Sequence, residues 1–198
     1  MIKNLKQGDL ISSAKIHYEG MTNDFLPGFG LRFLKNLHAQ LINQSEIINL
    51  GYYDKNELVG FILATTNTKI TMKKALVEGF WKFLPFILKK IIISPKTIIN
   101  IWQTIFYGNC SDGISSEILI LAIDKHHRRM GIGNKLISQL KKKLININIK
   151  HLKVGTLSSN FPANEFYKST GGKFYASFSI YDRVWNKYSY NLLKIKKL

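Results

Sequence analysis

The sequence predicts an α+β fold in which helices flank a mostly antiparallel mixed sheet and one long helical segment is inserted. Three observations lead to this class. Two β-rich runs joined by a two-residue turn lie in the first half, a strand–loop–helix–strand crossover lies in the centre, and two aromatic-rich runs close the chain. At 198 residues the chain fits a single domain, 1–198, that contains the segment 69–107 as an insertion.

The N-terminal elements follow from apolar spacing. "IKNL" at 2–5 predicts a short strand, and residues 8–19 predict a first helix. A second helix over 28–43 is indicated by apolar residues at helical spacing, namely Leu31, Leu34, Leu37, Leu41 and Ile42. Two β-rich runs follow at 47–54 and 57–67, and the "KN" between them predicts an antiparallel hairpin.

The C-terminal elements surround a glycine-containing loop. "EILILAID" at 117–124 is nearly continuous in apolar residues, which predicts a strand buried on both faces. A helix follows, and one of its faces is marked by Leu136, Ile137, Leu140 and Leu144. "HLKVGTL" at 151–157 predicts the next strand. Residues 160–170 predict a short helix that ends at a glycine pair, before two final strands.

The segment 69–107 is long, apolar and rich in lysine. Pro85 and Pro95 are expected to divide it into two or three helices. Its most hydrophobic part, 76–106, is interrupted by lysines and a proline, so it falls short of an uninterrupted membrane span.

The formal net charge of +17 has two interpretations. It favours an anionic partner, which would be nucleic acid, a membrane surface or a phosphorylated small molecule. It also fits compositional drift, because Lys, Ile and Asn are abundant and Arg is rare, as in AT-rich coding sequences. The lysines are spread along the chain without a recognition-helix or stacking-sheet signature, so no specific nucleic-acid partner is expected.

The cysteine content and the N-terminus bear on location. A single cysteine, Cys110, excludes an internal disulfide and fits a reducing compartment. The first residues, "MIKNLKQGDL", lack an apolar signal region. A cytoplasmic location is expected, with peripheral contact at the inner face of the membrane as an alternative.

The stretch "HHRRMGIGNKL", residues 126–136, contains two of only four arginines. Gly131 and Gly133 allow close approach of the backbone to a ligand, and the N–H groups at the start of the following helix attract anions. Arg128 and Arg129 add charge-assisted contacts. The alternative is a tight turn with solvated arginines. The loop lacks the G-K-[ST] of a Walker loop and the third glycine of a dinucleotide fingerprint.

A second motif follows the loop downstream and contains Asn160, Ala163, Phe166 and Tyr167. Together the two motifs resemble the GNAT superfamily of N-acetyltransferases. The family's acyl-coenzyme A motif, [R/Q]-x-x-G-x-[G/A], matches Arg128, Gly131 and Gly133. Downstream, the family's N-x-x-A-x-x-[F/L]-Y pattern is matched by Asn160, Ala163, Phe166 and Tyr167. The sequence departs from the family's usual residues at Lys125, His127 and Arg129. These departures leave the implied fold unchanged and concern only the pyrophosphate contacts.

The resemblance implies a bacterial enzyme that uses acetyl-CoA without a metal. Its central strand pair would splay apart, and the pantetheine arm would bind main-chain groups of Leu121, Ala122 and Ile123. The pyrophosphate would bind the loop residues Arg128, Arg129, Met130, Gly131, Ile132, Gly133 and Asn134. Asn160 would bind the pantetheine arm or cap a helix. An N–H near Ala122 or Ile123 would stabilise the oxyanion.

The resemblance also implies the acid and the base. Tyr167 matches the tyrosine that protonates the departing thiolate, with core packing as the alternative. Glu117 opens the central strand on the side where family members place a carboxylate, so it is the candidate base, and the alternative is a solvated strand end. Asp112 is a weaker candidate. Cys110 has no visible partner, and no Cys/His spacing indicates a zinc site. His17, His38 and His151 are interpreted as surface or packing residues.

The acceptor implied by the family is a primary amine, attacked in a ternary complex, and an amino sugar is the favoured class. An antibiotic, a polyamine or a protein N-terminus would use the same core. The insertion 69–107 is interpreted as a lid, with membrane contact through 76–106 or a homodimer surface as alternatives. A basic nucleic-acid-binding domain and a non-catalytic CoA-binding module remain as different functional classes.

Overall fold

The computed structural model describes residues 1–22, 24–107 and 112–193. The strands in these ranges are β1 (Ile2–Lys3), β2 (Ile47–Asp54), β3 (Glu57–Thr65), β4 (Glu117–Ile123), β5 (His151–Leu157), β6 (Lys173–Ile180) and β7 (Arg183–Asn191). The α-helices are α1 (Leu10–Gly20), α2 (Leu31–Ile42), α3 (Thr68–Ile93), α4 (Thr97–Tyr107), α5 (Ile132–Asn146) and α6 (Phe161–Ser169).

The strands form one sheet in the order β1-β2-β3-β4-β5-β7-β6. Among the described strands, only the central pair, β4 and β5, is parallel, and the other neighbours run antiparallel. A parallel pair needs a crossover, and the loop after β4 together with α5 supplies it. The predicted α+β class with one central crossover is therefore confirmed.

Helices cover both faces of the sheet. On the first face, α1, α2 and α3 bury apolar side chains against Phe61, Leu63, Ile120 and Ala122. On the second face, α5 and α6 pack against Ile62, Ala64, Ile118, Val154 and Tyr188. The four apolar residues predicted to mark one face of α5 are all fully buried here.

The predicted hairpin is confirmed. β2 and β3 are joined by Lys55 and Asn56, which have φ values of 44° and 69°. Positive φ at both central residues is the geometry whose twist matches the flanking strands.

The prediction that both prolines would break the insertion was wrong for Pro85. The helix α3 continues through this residue and ends only at Ile93, just before Pro95. Phe83 and Phe86, on either side of Pro85, both contact the ring of Phe33 in α2. This packing holds the helix together on both sides of the proline and offsets the missing backbone hydrogen bond.

A chain of buried polar groups joins α1 to α2. The Ser13 hydroxyl donates to the Leu10 carbonyl oxygen, which can only accept. The hydroxyl therefore accepts from His38 Nδ1 at 2.9 Å, and His38 Nε2 accepts from His17 Nδ1 at 3.0 Å. The two imidazoles stack with 5.3 Å between their centroids. Both are buried as packing residues, in agreement with one of the two interpretations of the sequence.

Burial lowers the pKa of His17 to about 4. Burial, with repulsion from His17, lowers the pKa of His38 to about 3. In the unfolded chain both groups take up a proton near pH 6.5. Because the unfolded state then binds more protons than the folded state, stability falls as the pH is lowered through 6.5 towards 4.

We expect the free energy of unfolding, measured with urea, to fall by about 4 kcal/mol between pH 7.5 and pH 5, on the arithmetic of two uncoupled histidines. A His17→Phe/His38→Phe variant should lose most of this dependence, because no buried imidazole is left to titrate. The exposed His151 supplies the matched control, and His151→Gln should keep the dependence. An equal slope in the double variant would contradict the assignment.

Candidate active site

The site is built around the divergence of β4 from β5. Their parallel register comprises two pairs, Glu117 with Lys153 and Ile118 with Val154. Beyond Val154, β5 continues to Leu157 in register with β7, while β4 continues in register with β3 to Ile123. The two strands therefore enclose a wedge that opens towards the loop after β4.

A β-bulge in β4 lies at the start of the wedge. Leu63 and Ala64 of β3 pair with Ile120 and Ile118, so Leu119 is an extra residue. Ile118 and Ile120 are two positions apart and would share a face in a regular strand. They pack instead in the cores on opposite faces of the sheet, because the bulge reverses the alternation.

Beyond the bulge, alternate residues of β4 direct their main-chain N–H and C=O groups towards β3 or towards the wedge. The Asp124 N–H donates to the Val59 carbonyl of β3, and a Cβ added to Gly60 would lie 3.3 Å from the Ala122 carbonyl oxygen. Because hydrogen-bonded positions alternate along an antiparallel strand, Ala122 faces β3 while Leu121 and Ile123 face the wedge. Of the three residues predicted to bind pantetheine, two are thus oriented to do so.

The loop at the open end of the wedge has left-handed backbone at two positions. Arg129 has a φ of 61°, and Gly131, the N-cap of α5, has a φ of 74°. Alternation of right- and left-handed residues turns successive N–H groups towards one point and forms an anion site. The first turn of α5 contains no acidic residue to neutralise the helix dipole.

The two arginines of the loop differ in their contacts. Arg128 donates through Nε to the Ile123 carbonyl oxygen at 3.2 Å. Its guanidinium also lies beside Gly20 at the C-terminus of α1, where a positive charge is favoured. Arg129, Met130 and Asn134 are exposed to solvent. Arg128 is therefore anchored to the end of β4, and Arg129 projects from the loop.

Gly133 has a packing role that the sequence motif does not reveal. A Cβ at this position would lie 2.9 Å from the ring of Phe166 in α6. Ile132 is buried beside it. The glycine thus lets α6 approach the N-terminus of α5, which brings the second motif against the first.

Tyr167 lies in the same core as Ile118 and Val154, the last register pair before the wedge. Burial, with a smaller contribution from Tyr190, raises the pKa of the Tyr167 phenol. Within the ranges that the structure describes, its hydroxyl has no hydrogen-bond partner, whereas its carbonyl oxygen accepts from Gly172 N and Tyr190. The phenol is thus protonated and free to donate.

Asn160 caps α6, since its side chain accepts from Ala163 N at 3.2 Å. The sequence left capping and pantetheine binding open, and capping is the role observed. Asn164 was missed: its amide donates to carbonyls of Leu157 and Asn160, and its oxygen accepts from Tyr188. This buried side chain fixes α6 to β5 and β7, and only the fold brings its partners together.

Glu117 is buried, so the alternative of a solvated strand end was wrong. Its Oε2 accepts from the Thr68 hydroxyl at 2.9 Å, at the start of α3. Its register partner Thr65 follows Phe61 and Leu63 on the face covered by α1, α2 and α3. Glu117 and Tyr167 therefore approach the wedge from opposite faces of the sheet.

Asp112 is the centre of a second buried cluster. Its carboxylate accepts from Lys153 at 2.8 Å, from Lys187 at 3.0 Å and from Tyr175 at 2.8 Å. Burial favours the neutral acid, but these three hydrogen bonds outweigh it and lower the pKa of Asp112. A carboxylate committed to two ammonium groups has little basicity to offer, which favours Glu117 as the base.

The remaining sequence candidates are distributed around the site. His127 Nδ1 contacts Asp124 Oδ1 at 3.0 Å, and this hydrogen bond lowers the pKa of Asp124. His126 is exposed beside it. Cys110 lies outside the described residues. Among those that are described, no three His, Cys, Asp or Glu side chains form a group that could hold a metal ion.

The face of β5, β6 and β7 next to Glu117 carries an aromatic floor, formed by Leu157, Phe178 and Trp185. Trp185 is the register partner of both Leu157 and Phe178. The rings of Trp185 and Phe178 stack with 6.4 Å between their centroids. Lys187 Nζ lies 4.9 Å from the centre of Phe178. The buried Trp185 Nε1 has no hydrogen-bond partner among the described residues.

Three segments meet beside this floor. Arg183 pairs with Asp24 of the α1–α2 connection at 3.1 Å, and Tyr181 packs against Phe25 with 4.7 Å between ring centres. The Tyr181 hydroxyl also bonds Thr104 of α4 at 2.6 Å. The insertion is thereby fastened to the β6–β7 turn, and residues of and next to the same turn contact the α1–α2 connection.

Comparison with known families decides the identity. The family model described as "Acetyltransferase (GNAT) family" matches residues 17–171. The chain belongs to the GNAT family of acetyltransferases. It is accordingly an N-acetyltransferase, and the resemblance drawn from the two motifs is confirmed. No curated protein matches the sequence of this family member.

Solved structures support the same fold for this GNAT protein. The ribosomal-protein-S18-alanine N-acetyltransferase of Escherichia coli matches with a TM-score of 0.60 at 13% identity, over 97% of this chain and 93% of that one. The ribosomal-protein-alanine N-acetyltransferase of Brucella melitensis gives 0.65 at 14%, over 96% and 99%. The PaiA N-acetyltransferase of Thermoplasma acidophilum, solved with coenzyme A, gives 0.60 at 14%, over 96% and 98%.

Proposed function

We propose that this enzyme binds acetyl-CoA in the wedge between β4 and β5 and transfers the acetyl group to the primary amine of a small acceptor, an amino sugar. Acetyl-CoA is a substrate that supplies the activated acyl group as a thioester. The observation that carries the proposal is the open edge of β4, where main-chain groups of Leu121 and Ile123 face the wedge beside the glycine loop.

The wedge fits the pantetheine arm because that arm contains amides. A buried N–H or C=O without a partner costs free energy comparable to a lost hydrogen bond. Leu121 offers both main-chain groups on the wedge side, and Ile123 offers its N–H, since its carbonyl already accepts from Arg128. An extended ligand with amide groups would continue the sheet at this edge.

The loop fits the pyrophosphate because its charge and its backbone act together. The N–H groups at the start of α5 and the side chains of Arg128 and Arg129 are positive, and nearby Asp124 is engaged by His127. A phosphate there would gain charge-assisted hydrogen bonds without displacing an ion pair between either arginine and another described residue.

Tyr167 serves as the acid in this proposal. Its raised pKa keeps the proton on the phenol at neutral pH, and the hydroxyl is not committed to another described group. When the amine displaces the thiol group, the departing thiolate needs a proton. Tyr167 would supply it from the face covered by α5 and α6.

Glu117 serves as the base from the other face. An amine arrives protonated and is a nucleophile only after losing that proton. Glu117 is held by Thr68, and its strand neighbour Lys153 is bound to Asp112. The carboxylate would take the proton directly or through one water molecule, so that proton removal and thiolate protonation occur on opposite sides of the sheet.

The aromatic floor supports an amino sugar as the acceptor. Sugars present apolar C–H faces that pack on aromatic rings. Phe178 and Trp185 supply two such rings. Named neighbours act on a ribosomal protein, but at 13–14% identity they are evidence for the fold alone.

We expect Tyr167→Phe to lower kcat for thiol release from acetyl-CoA, assayed with a panel of amino sugars, by about 10²-fold, with little change in acetyl-CoA affinity. Tyr188→Phe is the matched control, because it removes the hydroxyl of a different buried tyrosine. It removes a hydroxyl that donates to Asn164, so it should cost about 1 kcal/mol of stability and leave turnover intact. Turnover that is unchanged in Tyr167→Phe would leave this residue with a packing role only.

Glu117→Gln preserves the shape of the side chain and an oxygen that accepts from Thr68. We expect the largest loss of kcat/KM at low pH, where the acceptor amine is protonated, and a smaller loss at high pH, where it is already free. Glu57→Gln, at the exposed start of β3, is the matched control and should behave as wild type. A pH-independent loss would point to a different base.

A further inference from the structure

The helix α3 has two apolar faces. One packs on the protein: Ala75 and Phe83 are buried, and Phe83 and Phe86 contact Phe33. The other faces solvent and consists of large exposed side chains on α3, namely Ile70, Val77, Phe80, Trp81, Leu88 and Ile92. At 3.6 residues per turn, these six fall within an arc of about 120° that lies opposite the buried face. We call these six residues the outer stripe.

The side chains of the outer stripe are highly exposed, and they lie together on one helix face. Val77 is 69%, Trp81 79% and Ile92 83% exposed. The next helix, α4, also has exposed apolar residues, which are Ile98, Ile99 and Trp102. A contiguous apolar surface of this kind marks an interaction site in soluble proteins.

The charges around the outer stripe are mostly positive. Between 68 and 107 the sequence contains one acidic residue, Glu78, and seven lysines, which are Lys69, Lys73, Lys74, Lys82, Lys89, Lys90 and Lys96. Lys73 lies within the arc of the stripe, and Lys82 and Lys89 project beyond one of its edges; all three are exposed. Long lysine side chains at the edge of an apolar face place their charges at the level of lipid headgroups.

The structure gives no helix, among the residues it describes, that is long and apolar enough to cross a membrane. Helix α3 has 26 residues and is about 39 Å long. Because one face of α3 is packed on α2, the outer stripe can contact a flat surface only with the helix axis parallel to that surface. A helix in that position lies in the plane of a bilayer surface with its aromatic and aliphatic side chains below the headgroups.

A second copy of this chain fits the stripe less well than a bilayer does. The chain has a net charge of +17, and a symmetric interface would bring the same lysine-flanked stripe against itself. Like charges facing each other at the rim of an interface are unfavourable. An anionic bilayer supplies both a hydrocarbon layer for the stripe and negative headgroups for the lysines.

We propose that the outer stripe of α3, flanked by its lysines, is a docking surface for anionic phospholipid bilayers. Binding there holds the enzyme at a membrane surface without spanning it. The proposal concerns a face of the insertion that no step of the acetyl transfer uses.

The test is flotation of the full chain with vesicles of phosphatidylglycerol and phosphatidylcholine in equal parts, and with vesicles of phosphatidylcholine alone. We expect binding to the anionic vesicles that is at least about tenfold tighter than to the neutral ones and that weakens with added salt. Val77→Ser/Trp81→Ser/Ile92→Ser should reduce anionic binding by at least about 30-fold, since three buried apolar side chains are lost.

One further test variant and two control variants keep the test specific. Ile11→Ser/Ile147→Ser removes exposed apolar residues outside the insertion and should bind like wild type. Lys82→Gln/Lys89→Gln should weaken anionic binding about tenfold or more, whereas Lys142→Gln, exposed on α5, should have a much smaller effect. Acetyl-CoA affinity measured in parallel confirms that each variant is folded.

Three results would overturn the proposal. The first is wild-type protein that binds acetyl-CoA but does not float with anionic vesicles. The second is equal flotation of wild type and the triple serine variant. The third is a wild-type dimer in sedimentation that becomes monomeric in the triple variant while vesicles are not bound, because the occupant of the stripe would then be a second copy.

Discussion

Peptide groups of Leu121 and Ile123 face a wedge between two strands of the sheet, and peptide groups in such a place need hydrogen-bond partners. Arg128 supplies one partner by donating to the Ile123 carbonyl oxygen. The remaining groups are available to an extended ligand. The same divergence of β4 from β5 allows the loop after β4 to curl round the start of α5, so the two halves of the proposed donor site have one structural origin.

Several local features maintain the wedge. The bulge at Leu119 reverses the alternation of side chains in β4, so that Ile118 fills one core and Ile120 the other. Gly133 lets α6 pack closely on α5, which places Tyr167 in the core below the point of divergence. On the opposite face, the hydrogen bond from Thr68 ties Glu117 to the start of α3. The helix α3 therefore both positions the candidate base and carries the outer stripe.

Local patterns in the sequence predicted most of the fold. The bounds of β2 and β5 agree with the predicted runs, and the loop motif led to the family because its residues are contiguous. Long-range features could not be predicted in this way. The burial of Glu117, the cluster of Asp112 with two lysines, and the His17–His38 pair each join residues from separate elements. The bulge at Leu119 also leaves no signal, since "ILILAI" is apolar at every position.

We infer that the wedge and the loop form one donor site, and calorimetric titration with acetyl-CoA tests this most directly. We expect wild type to bind with a Kd on the order of micromolar and Gly131→Glu to show no binding, because a carboxylate at a φ of 74° strains the loop and repels phosphate. Gly171→Glu has the same charge at a similar φ of 90° outside the loop and should bind like wild type. A folded wild-type protein that does not bind acetyl-CoA, or a Gly131→Glu variant that binds equally well, would contradict the assignment.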